Sequence, residues 1–232
     1  MKRPFSDYDL YVFDLDGTLY DQPSLRKIMA TRLIKYYALH PFRFMDLYYI
    51  YKFRKVKDKW EDYSEKYSDT YNNDYITSVK IGSLDVKVCS LLAKGKDSKT
   101  EKLCELVYRW IYENPLTGLA KTCDLTLAGI ISELRKSGKK VLIFSDYPVE
   151  NKLSAMNIEV DGMYCATDEE IGEYKPSPNG LEFIMKEHRT DRDRILMIGD
   201  RMEKDGLCAA NCGVDYLILK RNIKDRNYDL LQ

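Results

Sequence analysis

The stretch "YVFDLDGTLY", residues 11–20, decides the fold that we expect for this chain. It continues an apolar run, "DLYVF" at residues 9–13, which is typical of a short buried strand. Two aspartates, Asp14 and Asp16, follow the run at once, and a Gly-Thr pair comes directly after them. Buried carboxylates are costly unless a cation or hydrogen-bond donors satisfy them. The stretch therefore predicts a strand whose carboxyl end carries a functional site.

Three later runs are also typical of short buried strands: "VLIF" at 141–144, "ILMIG" at 195–199 and "YLIL" at 216–219. Helical patterns separate them, one of them beginning at Asp124 as an N-cap. Strands that alternate with helices predict an α/β fold with a doubly wound parallel sheet. We therefore expect the α/β class for residues 115–232 together with the N-terminal strand.

Polar side chains end these runs as well. Ser145 follows "VLIF", and Asp200 follows "ILMIG". Ligand sites of open α/β sheets form outside the carboxyl ends of the strands, so Asp14, Ser145 and Asp200 are expected to meet at one sheet edge. The loop that contains Lys175, "EYKPSP", can return to the same edge.

Four motifs in this order resemble those of the haloacid dehalogenase (HAD) superfamily. "YVFDLDGTLY" is similar to the first motif, and Ser145 matches the serine or threonine of the second. Lys175 matches the lysine of the third, and "GDRMEKD", with Asp200 and Asp205, matches the acidic fourth. The resemblance spans about residues 9–219 and implies a Rossmann-like α/β core. It also implies the phosphatase branch of the superfamily, which includes phosphoglycolate phosphatase-like enzymes.

The resemblance implies a role for each motif residue. Asp14 would attack a phosphoryl group and form an aspartyl phosphate, and Asp16 would act as general acid and then general base. Asp14, the backbone carbonyl of Asp16, and Asp200 would bind Mg²⁺, which offsets the repulsion between carboxylates and phosphate. Lys175 is expected to screen the charges of nucleophile and phosphate. Ser145 would bind the phosphoryl oxygens through its hydroxyl group. Thr18 would contribute to phosphate binding and fix the loop after the first strand. Asp205 would support the site by orienting Lys175 or metal-bound water.

Residues 22–114 interrupt the strand-helix alternation, because their pattern is almost wholly helical. Tyr63, Tyr67, Tyr71 and Tyr75 repeat every fourth residue there, which favours helical packing. In the resembling family, an insertion after the first motif is a helical cap that closes over the site and selects the substrate. We expect a cap domain at 22–114 and a core domain at 1–21 plus 115–232.

One stretch of this insertion, "PFRFMDLYYIYKFRKVKDKW" at 41–60, is both aromatic and basic. From Arg26 to Lys59 the sequence contains ten Lys or Arg residues but only two acidic residues, although the whole chain has 37 basic and 37 acidic residues. Two interpretations compete. The stretch is a docking face for an anionic partner, which is a substrate, a membrane surface or nucleic acid, or its aromatic residues form the inner side of a helix whose lysines face water. We favour the last interpretation for Met45, Tyr49, Phe53 and Trp60, so a nucleic-acid partner is not expected.

Composition excludes several other classes of protein. The longest apolar runs are strand-sized, well short of the roughly 20 residues that a membrane span needs, and no secretion signal is visible. The six cysteines form no CxxC pair and are expected to be reduced thiols of a cytoplasmic protein, with Cys208 and Cys212 buried.

Together these features predict a magnesium-dependent phosphatase that hydrolyses a small phosphorylated metabolite through an aspartyl-phosphate intermediate. Dehalogenase chemistry is disfavoured, because the dehalogenase relatives lack an aspartate at the position of Asp16 and need no metal. A phosphomutase of the same superfamily and a non-catalytic binding module that retains the fold remain the alternatives.

Overall fold

The computed structural model of the 232-residue chain describes residues 3–64 and 77–231. The chain divides into two compact units. One, here called the α/β unit, comprises Met1–Arg26 and Thr117–Gln232, and the other, the helical unit, comprises Lys27–Leu116.

The α/β unit is built on a five-stranded parallel sheet with strand order β3-β2-β1-β4-β5. Its central strand is the one that the opening stretch predicts, and its register places Phe13 beside Ile143 on one side and Ile198 on the other. The predicted α/β class and parallel sheet are confirmed. The strands are β1 Leu10–Phe13, β2 Lys140–Ser145, β3 Gly162–Cys165, β4 Ile195–Gly199 and β5 Asp215–Ile218.

The edge strand β3 was not expected from the sequence. Its four residues, "GMYC", include Met163, which is 48% exposed, so the strand lacks the continuous apolar run of the buried strands. It pairs with β2 alone, from Leu142 beside Gly162 to Ser145 beside Cys165. A short, half-exposed edge strand gives little periodic signal in a sequence.

Nine α-helices have both ends within the two described ranges, and the sheet alternates with those of the α/β unit. Asp124 caps α6 as predicted, because its carboxylate accepts a hydrogen bond from the Leu127 N–H at 3.0 Å. The helices are α1 Gln22–Leu39, α2 Met45–Asp58, α3 Ser83–Ala93, α4 Asp97–Val107, α5 Leu116–Thr122, α6 Leu125–Lys136, α7 Glu150–Met156, α8 Asn179–His188 and α9 Leu207–Cys212.

The helical unit contains α2, α3, α4 and most of α1. The inner face predicted for α2 is right for Phe53, which is buried, and wrong for Met45, which is 47% exposed, while Tyr49 is half-buried. Trp60 is buried too, but it lies beyond the end of α2 at Asp58. Lys57 is also buried, because its Nζ donates to the Asp85 carboxylate at 2.6 Å. Tyr67, Tyr71 and Tyr75 of the predicted tyrosine series lie outside the described residues.

The thiols of Cys208 and Cys212 are buried in the α/β unit, as expected, and both donate to backbone carbonyls of the segment that precedes α8. Among the described residues, no helix has the length and apolarity that a bilayer crossing requires.

Candidate active site

The carboxyl edge of the sheet brings together the polar residues that end the strands. Asp14 follows β1, Ser145 ends β2 and Asp200 follows β4. The N–H of Asp14 still donates to the carbonyl of Ile198 at 2.8 Å, so the ladder fixes the position of Asp14. The expected placement at one edge is therefore observed.

Lys175 reaches this edge from the loop before α8. Its Nζ donates to the Asp14 Oδ1 and to the Asp205 Oδ1, each at 2.6 Å, and to the carbonyl of Phe144 at 3.3 Å. The backbone N–H of Lys175 is held by the Asp146 carboxylate at 3.0 Å. With only 2% of its surface exposed, Lys175 is an internal cation shared by two carboxylates.

Burial and charge set the protonation of this group. Burial alone would lower the pKa of Lys175, but the Asp14 and Asp205 carboxylates outweigh it and raise that pKa well above its usual range. Burial, with the neighbouring Asp205 carboxylate, raises the pKa of Asp14, although Lys175 opposes the rise. Because Lys175 is shared between Asp14 and Asp205, its single positive charge does not balance both carboxylates, and a further cation would stabilise the ionised form of Asp14.

Asp16 has its own partners. Lys152 Nζ, from α7, lies 2.5 and 2.8 Å from its two carboxylate oxygens, and the Tyr20 hydroxyl donates at 2.5 Å. The Ser145 hydroxyl donates to the Asp16 Oδ2 at 3.0 Å and accepts from the Tyr147 N–H. Burial opposes ionisation, but the Lys152 ammonium and these hydrogen bonds outweigh it and lower the pKa of Asp16.

Lys152 is a site residue that the sequence did not reveal. Its position on α7, seven residues after Ser145, gives no motif, and a lysine on a short helix is usually solvent-exposed. Here it is 6% exposed, because the short connection after β2 starts α7 at the same sheet edge. The one hint in the sequence is that Lys152 follows the end of β2 by only seven residues, but its burial is visible only in the structure.

Asp200 offers an oxygen that nothing in the described chain satisfies. Its Oδ1 is buried without a hydrogen-bond partner, and its Oδ2 lies 3.6 Å from Nε of the exposed Arg221. Burial and then the Asp205 carboxylate raise the pKa of Asp200 to about 6. An orphaned buried carboxylate oxygen is rare in native proteins unless an ion or water satisfies it.

Three carboxylates at the edge, those of Asp14, Asp200 and Asp205, have ligand atoms within 4.8 Å of one another. Asp205 is engaged on both oxygens, since Oδ1 accepts from Lys175 and Oδ2 accepts from the N–H groups of Asp200 and Arg201. The orphaned oxygen of Asp200, close to Asp14, therefore fits a hard divalent cation better than Asp205 does.

The loop after β1 is shaped for this arrangement. Gly17 has a φ of +102°, and a Cβ on it would lie 2.7 Å from the Asp200 Oδ2, so only glycine lets the two loops approach. The Thr18 hydroxyl donates to the Asp14 Oδ2 at 2.8 Å. Arg226, which the sequence also did not reveal, donates to the carbonyls of Gly17 and Thr18, each at 2.6 Å. These contacts hold Asp14 and its loop in place.

A family model described as haloacid dehalogenase-like hydrolase matches residues 8–213. The chain belongs to this family. Its four motifs are the residues that the sheet edge brings together, so the resemblance seen in the sequence is confirmed at the level of the family. No curated protein sequence matches the chain.

Several solved structures share the fold of this HAD-family hydrolase. One, from Bacillus subtilis, is assigned as the HAD hydrolase YfnB bound to magnesium; it is 16% identical with a TM-score of 0.56, covering 91% of this chain and 86% of that one. A 2-haloacid dehalogenase from Pseudomonas syringae pv. Tomato DC3000 is 16% identical with a TM-score of 0.54, covering 96% and 90%. A predicted phosphoglycolate phosphatase from Haemophilus somnus 129pt has the same identity and TM-score, covering 96% and 88%. At these identities the likeness shows the fold alone.

Proposed function

We propose that this HAD-family hydrolase is a magnesium-dependent phosphatase that hydrolyses a small phosphate monoester through an aspartyl phosphate on Asp14. The observation that carries the proposal is the excess of negative charge at the sheet edge. Asp14 and Asp205 share the buried Lys175 ammonium group, Asp16 pairs with the buried Lys152, and Asp200 lies 3.6 Å from the exposed Arg221. Phosphoryl transfer uses a divalent cation at such a site.

Asp14 and Asp200 are the side chains that would hold Mg²⁺, together with the backbone carbonyl of Asp16. The buried, unpartnered Oδ1 of Asp200 supports this choice, and the full engagement of Asp205 argues against Asp205 as a ligand. When bound, the cation supplies positive charge that stabilises the phosphoryl oxygens in the transition state.

Asp14 is the nucleophile in this proposal. One of its carboxylate oxygens forms a bond to phosphorus while the bond from phosphorus to the ester oxygen breaks, which leaves an acyl phosphate and an alcohol. Lys175 and the Thr18 hydroxyl each bond one oxygen of Asp14, at 2.6 and 2.8 Å, and fix the direction of the carboxylate. The Lys175 ammonium also reduces the repulsion between Asp14 and an incoming phosphate.

Asp16 manages the proton. In the first step it donates a proton to the departing ester oxygen, and in the second it accepts one from the water that attacks phosphorus. The second step releases inorganic phosphate and restores the Asp14 carboxylate. Lys152, Tyr20 and Ser145 keep the Asp16 carboxylate at the edge beside Asp14. The ionised state that they favour accepts the proton of the attacking water in the second step, and the proton gained there is the one that Asp16 donates to the ester oxygen of the next substrate.

The two remaining predicted residues have supporting roles. Asp205 orients Lys175 and, through the N–H groups of Asp200 and Arg201, the loop after β4. Ser145 bonds Asp16 here, and we propose that its hydroxyl serves phosphoryl oxygens when substrate is present. We also propose that the helical unit is the cap domain, which excludes water and selects a phosphorylated metabolite.

The experiment compares three activities of the purified chain: phosphate release from an aryl phosphate with and without Mg²⁺, chloride release from a 2-chloroacid, and isomerisation of a sugar phosphate. We expect magnesium-dependent phosphate release alone. Asp14→Asn should abolish it, whereas Asp7→Asn, on an exposed carboxylate away from the edge, should not change it. Chloride release without metal, or equal turnover by Asp14→Asn, would refute the proposal.

A further inference from the structure

The turn between α1 and α2 is exposed and apolar. Residues 38–45, "ALHPFRFM", are exposed without interruption. Phe42 is 96% exposed, Leu39 is 79% exposed and Phe44 is 63% exposed. Single exposed apolar side chains are common on proteins, but a contiguous group of large ones marks a surface that contacts something.

The first half of α2 extends this group. Its inner face contributes the buried Ile50 and Phe53, yet Leu47, Tyr48 and Tyr51 on the other side of the helix are 40%, 48% and 60% exposed. A surface helix normally carries polar residues opposite its buried face. An apolar second face therefore indicates that this side of α2 also leaves water in some bound state.

The exposed apolar residues are concentrated here rather than scattered. Of the thirteen large hydrophobic side chains that are exposed in the described ranges, eight lie between residues 34 and 51. We call these eight the tip surface: Ile34, Leu39, Phe42, Phe44, Met45, Leu47, Tyr48 and Tyr51.

Basic residues accompany the tip surface. Lys35, Arg54 and Lys55 are exposed, and the Lys52 ammonium lies 5.6 Å from the centre of the Tyr48 ring. The one acid in this stretch, Asp46, is paired with Arg43 at 3.1 Å. From Lys35 to Lys55 the chain carries five basic residues and one acid, so the partner of this surface is expected to be anionic.

Charge and side-chain type select among the possible partners. A second copy of the chain, related by a twofold axis, would place two basic surfaces against each other, which is unfavourable. Nucleic acid would use the charge and the aromatic rings, but it offers little to the aliphatic Ile34, Leu39 and Leu47. An anionic bilayer surface accepts all three kinds of side chain, since apolar groups enter the acyl boundary, tyrosines lie at the head groups and lysines contact anionic lipid.

We propose that the tip surface docks on the head-group region of an anionic membrane and holds the enzyme there as a peripheral protein. The binding is expected to be reversible, because the eight side chains of the tip surface bury too little apolar area for permanent anchoring. The inference rests on the helical unit by itself, and it is independent of the reaction proposed for the α/β unit.

The test is cosedimentation of the full chain with vesicles of phosphatidylcholine alone and of phosphatidylcholine mixed with phosphatidylglycerol. We expect partitioning onto the anionic vesicles that weakens as salt is added. The double variant Phe42→Ser with Phe44→Ser should reduce the partition coefficient at least about tenfold, because two apolar side chains no longer enter the bilayer. Neutralising Lys52, Arg54 and Lys55 as glutamine should cost about fivefold for each charge.

Two matched controls separate the tip surface from general properties of the chain. Leu125→Ser with Leu230→Ser removes two exposed apolar residues of the α/β unit, which are 77% and 55% exposed. A second control removes three exposed charges elsewhere in the helical unit: Lys87, Lys96 and Lys102, each changed to glutamine. Both controls should bind anionic vesicles like the wild type, and circular dichroism verifies that every variant is folded.

Any of four results would overturn the inference. The first is no partitioning onto anionic vesicles at low salt. The second is partitioning that the Phe42 and Phe44 substitutions leave unchanged, which would indicate adsorption by charge alone. The third is a dimer in light scattering that these substitutions dissociate, without vesicle binding. The fourth is binding to a single-stranded oligonucleotide in place of vesicles.

Discussion

Replacement of Lys175 by methionine tests the electrostatics of the sheet edge without any substrate. The ammonium group is 2% exposed and bonds Asp14 and Asp205 at 2.6 Å each. Its removal leaves two buried carboxylates without their cation, and breaking a buried ion pair from one side costs about 3–5 kcal/mol of unfolding free energy. For a chain of this size that loss lowers the melting temperature by about 6–20 °C.

The loss should depend on pH in a defined direction. The Asp14 carboxylate of the variant is ionised to a greater extent at pH 8 than at pH 5, and its charge is then buried beside Asp205 without the cation, so the penalty is largest at the higher pH. As the pH falls, one carboxylate takes up a proton more readily than in water, because burial and the neighbouring charge raise its pKa. The difference between wild type and variant should therefore be larger at pH 8 than at pH 5.

The assay is urea unfolding with a chelator present, because a bound divalent cation would replace the missing charge. Arg194→Met is the matched control: this arginine pairs with Asp9 at 2.7 Å but is 41% exposed, so its loss should lower the stability far less than the loss of Lys175. Adding Asp205→Asn to the Lys175 variant should restore part of its stability, since one unpaired charge disappears. A loss at pH 8 no larger than that of Arg194→Met would refute the reasoning.

Three further predictions concern the same edge. Lys152→Met should lower kcat of the proposed phosphatase at least about tenfold with little change in KM, and Lys152→Arg should recover part of it, because the cation positions Asp16; an unchanged kcat would show that Lys152 is only structural. Asp200→Asn should stabilise the metal-free protein at pH 7 by about 1–3 kcal/mol, because a folded-state pKa of about 6 makes ionised Asp200 unfavourable above that pH. This gain should fall steadily below pH 6 and vanish by about pH 3, where Asp200 is protonated in both the folded and the unfolded state; an equal gain at pH 7 and pH 3 in thermal melts contradicts it. Gly17→Ala should weaken Mg²⁺ binding in calorimetry, since its Cβ would meet the Asp200 Oδ2 at 2.7 Å, whereas Gly129→Ala, with open space around it, should not.

The sheet and its acidic edge could be predicted because local pattern and topology agree there. Each of β1, β2 and β4 contains a continuous buried run, and a polar residue stands where each run ends. Parallel pairing then requires Asp14, Ser145 and Asp200 to meet, whatever the details of the loops. The strand β3 escaped prediction because an exposed edge needs no apolar run.

The partners of these residues could not be predicted, because they depend on three-dimensional proximity and not on spacing. Lys152 reaches Asp16 across 136 positions of the sequence, and Arg226 reaches Gly17 across 209. In a sequence, neither differs from any surface cation. The helical unit shows the same limit, because a period of 3.6 placed both Phe53 and Met45 on the inner face of α2, yet Met45 is 47% exposed; where a helix is apolar on two sides, periodicity alone does not tell which side is buried.

The central claim is that Asp14 carries the phosphoryl group during turnover. Rapid quenching of the enzyme with an aryl phosphate and Mg²⁺, followed by borohydride reduction, converts an aspartyl phosphate to homoserine, which peptide mass spectrometry locates. We predict homoserine at position 14 alone, and none when substrate is omitted. Phosphate release that proceeds with position 14 unmodified, or with the modification at another aspartate, would contradict the account.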